Sequence, residues 1–472
     1  MCSPELSRKL EFSVRFSRED ARERPFFYLP FEVSAGTDLI EVEYDHSEGP
    51  EDDPNVIDIG IFGPGNFELF QADRFRGWSG SARKSFFVSE YESTPGYIAG
   101  KIDEGTWRII LGLYKISEKG CECRVRVSIK NLEVRSQAPL PAKTYAAPRP
   151  VKKGWYKGDL HVHSTHSDGE QSVPELADEA TKRGLDFIAI TDHNTVSQLS
   201  DIRKHSEGRT LLLPGEEITT YHGHANVWGN DTWIEFRLEN EQHFSRLIRE
   251  VHREGLIISV CHPKEFGPNW EFKRLRGFDA VEVWQGLWPT LNFQSVSWWE
   301  ELLKEGNRIV AVGGSDIHRL ENEPGRSVYD IGTPTTWVFC SGLSKELLLS
   351  AIRAGRVFIS RDPVGPGISF EARNPKTNET AMMGDEIAFS KGDELQLHLR
   401  VKRGRGGLAR LLSERGEIKR VLVDSDEFEE CWKARPEGNG YLRVEILDPD
   451  YGLGTDEREV AALSNPIYLR IL

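Results

Sequence analysis

Gly158-Asp159-Leu160-His161-Val162-His163-Ser164-Thr165-His166-Ser167-Asp168-Gly169 carries three imidazoles and two carboxylates in one short stretch. On an extended segment alternate residues project to the same side, so His161 and His163 can share one metal ion. Asp168 follows in a turn set by Gly169 and can add a carboxylate. A lone His-x-His pair is common by chance, so its weight depends on what accompanies it along the chain.

Working outward, the same kind of residue recurs beside short apolar runs. Thr191-Asp192-His193 follows the strand-like Phe187–Ile190, and Gly215-Glu216-Glu217 follows Leu211–Leu213, with His222-Gly223-His224 soon after. Cys261-His262-Pro263 ends the run Ile257–Val260, and Gly313-Gly314-Ser315-Asp316-Ile317-His318 ends Ile309–Val312. Between these strands lie helical patterns. One starts at Pro174, another places Phe244, Leu247, Ile248 and Val251 on one face, and a third covers Leu343–Ala354. Strands alternating with helices predict a parallel sheet closed into a barrel, with functional groups at the C-terminal strand ends. Of 13 histidines, 11 fall between His161 and His318. Six such pieces in order are hard to explain by packing, because burying so many ionisable groups without a cation is costly. Together they predict a metal site.

The flanks read differently. Residues from Glu11 to Glu133 alternate charged and apolar side chains, as in Asp38–Tyr44 and Val125–Ile129, with Gly and Pro between the runs. This predicts an N-terminal β-sandwich over residues 1–135. Pro139, Pro141, Pro148 and Pro150 mark a linker over 136–153. The α/β unit is expected over 154–360 and a small β-rich domain over 361–472. The net charge of −15 argues against a nucleic-acid backbone as partner. No apolar stretch is long enough for a signal peptide or a membrane span, so no membrane partner is expected and the cytoplasm is the default compartment. Six scattered cysteines form no disulfide framework.

The order HxH…SDG…TDH…GxE…GH…HP…SDxH resembles the PHP family, named for polymerase-associated and histidinol-phosphatase domains. The resemblance runs from about Trp155 to Arg361 and implies a distorted (β/α)7 barrel. It implies two or three divalent ions (Zn, Mn or Fe) on His161, His163, Asp168, His193, Glu217, His224, His262, Asp316 and His318. Glu216 and Glu217 are adjacent, and Glu217 fits the G-x-E spacing; it would bridge two metals. Closely spaced metals acidify a shared water, so no Ser or Cys nucleophile is required. Cys261 precedes His262, and strand alternation turns it to the other face. His166 and His222, beside ligands, either donate a proton to the leaving group or orient a ligand. Arg319 either contacts a substrate anion or forms a surface ion pair. Asp159 and Asp192 are read as partners of neighbouring histidines. Trp270 and Trp288 either line an aromatic pocket or pack in the core, and Trp284 is read as core.

Arg76–Gly80 and Glu104–Trp107 resemble segments of the CehA/McbA-type branch, which implies a hydrolase of small-molecule esters or carbamates. A phosphoesterase is the alternative, and a non-enzymatic binding module the third reading.

Overall fold

The computed structural model describes residues 7–131, 152–320, 330–448 and 459–472. The expected Pro-rich linker falls almost wholly outside the described residues.

Alternation in the N-terminal third yields two four-stranded antiparallel sheets. One runs Ser7–Phe16, Cys121–Lys130, Leu39–His46, Ser85–Ser89; the other runs Phe26–Val33, Gly105–Lys115, Val56–Phe62, Phe75–Gly80. Their apolar residues, among them Phe31, Ile40, Ile59, Trp107 and Val127, bury in one shared cluster.

The middle of the chain builds a mixed α/β layer. Its strands run in the order Val310–Gly314, Ala280–Gln285, Ile257–Val260, Gly223–Trp228, Leu211–Thr220, Phe187–Ile190, Gly154–Val162, Thr335–Cys340, Val357–Ser360. The segment that follows the first of these strands also meets Gly154–Val162: Asp316 N donates to His161 O at 2.9 Å and His163 N donates to Ile317 O at 3.1 Å. Helix Val173–Lys182 opens where Ser172 N donates to Glu175 Oε2 at 2.8 Å, with Pro174 in its first turn. Helix Glu241–Arg253 buries Phe244, Leu247, Ile248 and Val251, the face that the apolar spacing marks. Asn240 caps it by accepting from His243 N at 3.0 Å.

The sheet is not uniformly parallel. Leu211–Thr220 continues past its apolar core and turns back through Tyr221 and His222 into Gly223–Trp228, antiparallel to it and to Ile257–Val260. A two-residue connection can join only antiparallel strands. The strand Gly223–Trp228 and the helix Asn292–Lys304 are additions to the pattern read from the sequence.

The C-terminal strands are continuous with this layer, because Val460–Ser464 pairs with Val357–Ser360 and extends the ladder. A second sheet of Thr380–Met382, Gly367–Arg373, Leu395–Lys402 and Glu427–Ala434 lies apart from it in hydrogen bonding. Among the described residues no helix is long and apolar enough to cross a membrane.

Asn465 ties the C-terminal strands to the strand that leads into Asp316. It accepts from Ala311 N at 2.8 Å and donates to Ala311 O at 2.8 Å and Val357 O at 3.0 Å. Asn465→Ala leaves these buried groups unmet and should lower stability by about 1–3 kcal/mol in denaturant unfolding. An unchanged midpoint would show that this side chain does not hold the two parts together.

Candidate metal centre

Two buried aspartates shape the loops before any ligand is placed. Asp159 accepts from the backbone N–H of His161 (3.1 Å), Ser315 (3.0 Å) and Gly332 (2.7 Å), fastening three separate segments. Burial pushes its carboxyl up to about 6, against the pull of those bonds. Asp192 accepts from Ser164 N at 2.8 Å, Ser164 Oγ at 2.7 Å and Ser167 Oγ at 2.6 Å, and so sets the turn that leads to Asp168. Both aspartates serve backbone and hydroxyl donors; neither is aimed at a histidine ring by a hydrogen bond. His262 and Asp316, both at strand ends, have φ of 29° and 55°. Such non-glycine left-handed residues are strained and concentrate at functional sites.

All nine ligand candidates converge. Glu217 is the hub: its oxygens lie 2.7 Å from His193 Nδ1, 3.0 Å from His224 Nδ1, 3.4 Å from His161 Nε2, and 3.5 Å from both His163 Nε2 and His262 Nε2. Asp316 Oδ1 lies 2.9 Å from His163 Nε2, 3.3 Å from His161 Nε2 and 3.8 Å from His318 Nδ1. Asp168 Oδ1 sits at the rim, 3.2 Å from His318 Nε2 and 3.5 Å from His193 Nε2. Glu216 points elsewhere, accepting from Asn230 Nδ2 and Ile234 N, so the adjacent carboxylates divide into a structural one and a central one.

The cluster fits divalent cations. His161 Nε2, both ring nitrogens of His163, Glu217 Oε2 and His262 Nδ1 are buried with no hydrogen bond despite these close approaches. Among the described residues four groups of donors each lie within 4.8 Å of one another: His163, Asp168, His193 and His318; His161, His163 and Glu217; His193, Glu217 and His224; and His161, Cys261 and Glu282. With protons alone, the balance is severe. Burial opposes the charged ring of His193, yet the Glu217 and Asp168 carboxylates outweigh it and lift it to about 9. Burial and the neighbouring His318 and His193 push His163 down to about 4. Glu217, though burial favours its neutral form, is held well below the usual carboxylate range by His193, His161 and His224. Imidazole and carboxylate donors aimed at shared points are the ligand chemistry of Zn, Mn or Fe.

Several residues of the site carried no motif in the sequence. Glu282 Oε1 lies 2.9 Å from His161 Nδ1 and Glu282 Oε2 accepts from His262 N at 3.0 Å. A carboxylate only accepts, so His161 Nδ1 holds a proton and Nε2 faces the centre. Gly314 permits this packing, since a Cβ there would sit 2.4 Å from His161 Cβ and 2.6 Å from Glu282 Oε1. Gln285 Nε2 donates to Asp316 Oδ2 at 3.0 Å, turning the other oxygen toward the histidines. The available signal was a lone Glu inside Ala280-Val281-Glu282-Val283-Trp284, an apolar strand that has no other reason to bury a charge.

Other candidates stand apart. His166 is buried with Nδ1 2.7 Å from Ser197 Oγ and Nε2 3.2 Å from Asp201 Oδ2, so both ring nitrogens are engaged outside the cluster. His222 pairs with Glu271 at 2.9 Å near the surface, because the hairpin turn points it away from the strand face that carries His224. Arg319 is mostly exposed and lies 3.4 Å from Glu170. Cys261 corrects the alternation argument: its Sγ lies within 4.8 Å of His161 and Glu282 donor atoms, because the chain leaves the strand at His262. Burial keeps its thiol protonated, well above the ordinary range. Trp270 and Trp284 are buried in the core, and Trp288 packs partly buried against Trp284.

The cluster opens into a cavity of about 690 Å³. One wall comes from the N-terminal sheets, through Phe26, Asp58, Trp78 and Tyr114. Arg83 reinforces this junction by donating to Ser167 O at 2.7 Å and Thr165 O at 2.5 Å, on the turn that carries Asp168.

Comparison with known proteins finds a PHP domain over residues 159–279. The 5'-3' exoribonuclease Rnm of Escherichia coli is 32% identical over 108 residues, 22% of this chain and 29% of that protein. The phosphoribosyl 1,2-cyclic phosphate 1,2-diphosphodiesterase of Eggerthella lenta is 36% identical over 64 residues, 13% of this chain and 24% of that protein. The chain spans less than two-fifths of the length of the curated relatives it matches. A two-domain structure from Bacteroides vulgatus, described as containing a predicted PHP-like metal-dependent phosphoesterase, aligns at 17% identity and a TM-score of 0.39, over 69% of this chain and all of that one.

Glu282→Ala frees the His161 ring to rotate and should weaken metal binding by about 10–100-fold while the protein stays folded. Competition against a chromophoric chelator reads this directly, and wild-type affinity in the variant would remove Glu282 from the site.

Proposed function

We propose that this protein is a metal-dependent phosphoesterase whose catalytic unit lies within residues 154–360, on a PHP-type (β/α)7 barrel flanked by β-rich units over 1–135 and 361–472. The observation that carries the proposal is the convergence of His161, His163, Asp168, His193, Glu217, His224, His262, Asp316 and His318 around buried, unbonded donor atoms, with seven of the nine lining one cavity. Two or three divalent ions held there would supply Lewis acidity and an acidified water at neutral pH.

The chain's own residues do the rest. Glu217 and Asp316 gather the imidazoles around shared points, Glu282 and Gln285 hold the orientation of His161 and Asp316, and Asp192 fixes the turn that brings Asp168 to the rim. Positioning that persists without substrate lets the site stabilise charge where it develops in the transition state. Both relatives described above act, by name, on phosphodiester bonds, which favours phosphoryl over carbonyl chemistry and displaces the ester and carbamate reading. The net charge of −15 bears on long polyanions; a single terminal phosphate would respond to the local field of bound cations, so the proposed substrates include an oligonucleotide end beside a small phosphoester.

The test is a hydrolysis panel of phosphate monoesters, phosphodiesters, carboxylic esters and carbamates on metal-reconstituted protein. Phosphoesters should be cleaved, chelator should silence turnover and added Mn²⁺ or Zn²⁺ should restore it. Elemental analysis should find two or three ions per chain, and Glu217→Gln should lower kcat by at least 10³-fold. Cleavage confined to carboxylic esters or carbamates, or a single ion per chain after reconstitution, would overturn the proposal.

A further inference from the structure

The cavity above the metal cluster is far larger than a phosphate needs, and its added wall has a definite chemistry. Tyr221 lies on the hairpin between Glu217 and His224, and its hydroxyl donates to Asp58 Oδ2, on an N-terminal strand, at 2.8 Å. Phe26 stacks on Tyr221, with ring centroids 5.7 Å apart and 18° between planes. Tyr114 meets the same ring at 5.1 Å and 42°, and it is 54% exposed at the cavity mouth. Gly112 makes this seat possible, because a Cβ there would lie 2.2 Å from the Tyr221 hydroxyl and 2.9 Å from the Trp78 ring.

Three aromatic side chains with accessible surface, two of them from the N-terminal sheets, thus border the same cavity as the metal ligands. An exposed tyrosine at a cavity mouth is a stacking platform for a flat ring, and stacking on such a platform tolerates any planar π-face. Asp58, buried beneath the aromatic rings, retains acceptor capacity beyond the bond from Tyr221.

We infer that Phe26, Tyr114 and Tyr221, with Asp58 beneath them, form a sub-site for a planar aromatic group attached to the phosphoester. The inference rests on the phosphoester reading and names its substrate class. The N-terminal sheets then select substrate: the phosphoryl group would lie toward His193, Glu217 and Asp316, the residues that would hold the ions, while the ring lies against Tyr114 and Phe26. An aryl group and a nucleobase share this chemistry. They differ in that a base bears ring or exocyclic N–H groups able to donate to Asp58.

The experiment uses the full-length, metal-reconstituted protein. The ratio of kcat/KM for phenyl phosphate to that for ethyl phosphate is measured in wild type, Tyr114→Ala and Tyr114→Phe. Intrinsic leaving-group reactivity cancels when each ratio is divided by the wild-type ratio. Tyr114→Ala should lower the ratio at least tenfold and Tyr114→Phe, which keeps the ring, should restore most of it. Binding of phenylphosphonate relative to methylphosphonate, measured by calorimetry, should fall in parallel. Adenosine 5′-monophosphate, measured in Asp58→Asn, separates the sources: a further loss specific to the nucleotide assigns the sub-site to a nucleobase, and equal losses for nucleotide and phenyl probes assign it to an aryl group. Phosphoester hydrolysis with the same ratio in all three proteins overturns the sub-site and leaves the phosphoesterase reading intact. No phosphoester hydrolysis at all, with Tyr114-dependent binding of phenylphosphonate retained, overturns the reaction and leaves the sub-site.

Discussion

A single buried carboxylate organises this protein. Glu217 has almost no contact with solvent and yet faces five imidazoles, from strand ends and loops that lie as far apart in the chain as His161 and His262. An ionised group so buried persists only when positive charge surrounds it. The imidazoles satisfy that need in part, and the unbonded donor atoms beside them show the remainder. The loops around it are arranged to bring donors to this oxygen pair.

That arrangement is expensive in backbone terms, and the fold meets it with buried side chains acting on main-chain groups. Asp159 binds three N–H groups from three segments, Asp192 fixes a turn through two serines, and Asn465 completes the strand that leads to Asp316. Each satisfies main-chain groups that burial removes from water, so rigidity at the candidate ligands arises from polar side chains outside the cluster. This is how a site built on strand ends and loops keeps its geometry.

The N-terminal sheets belong to the same construction. Arg83 holds the turn before Asp168, Arg237 reaches Phe67 O at 2.8 Å from the opposite side, and Gly96 N donates to Ser197 Oγ at 3.0 Å. The cavity is lined by side chains from both parts of the chain. The β-rich flank therefore contributes surface to the site as well as burying its own core.

The candidate ligand residues, which the structure brings together, were legible in the sequence because most are local events: a polar, metal-competent side chain just beyond a short apolar run, where packing gives no reason for it. Helix Glu241–Arg253 was legible for a similar reason, since its periodicity is contained within the helix. What only the tertiary structure decided involves partners far apart in the chain. Glu282 reads as one charge in a strand until His161, 121 residues away, is seen against it. His166 reads as a catalytic neighbour until Ser197 and Asp201 take both its nitrogens. Strand alternation placed Cys261 on the wrong side, because it assumes an extended chain and His262 leaves that conformation. The aromatic wall depends on Phe26 and Tyr114 reaching Tyr221 across the junction of two sheets and a hairpin. Periodicity records which face of an element is buried, and it carries no information about which distant element covers that face.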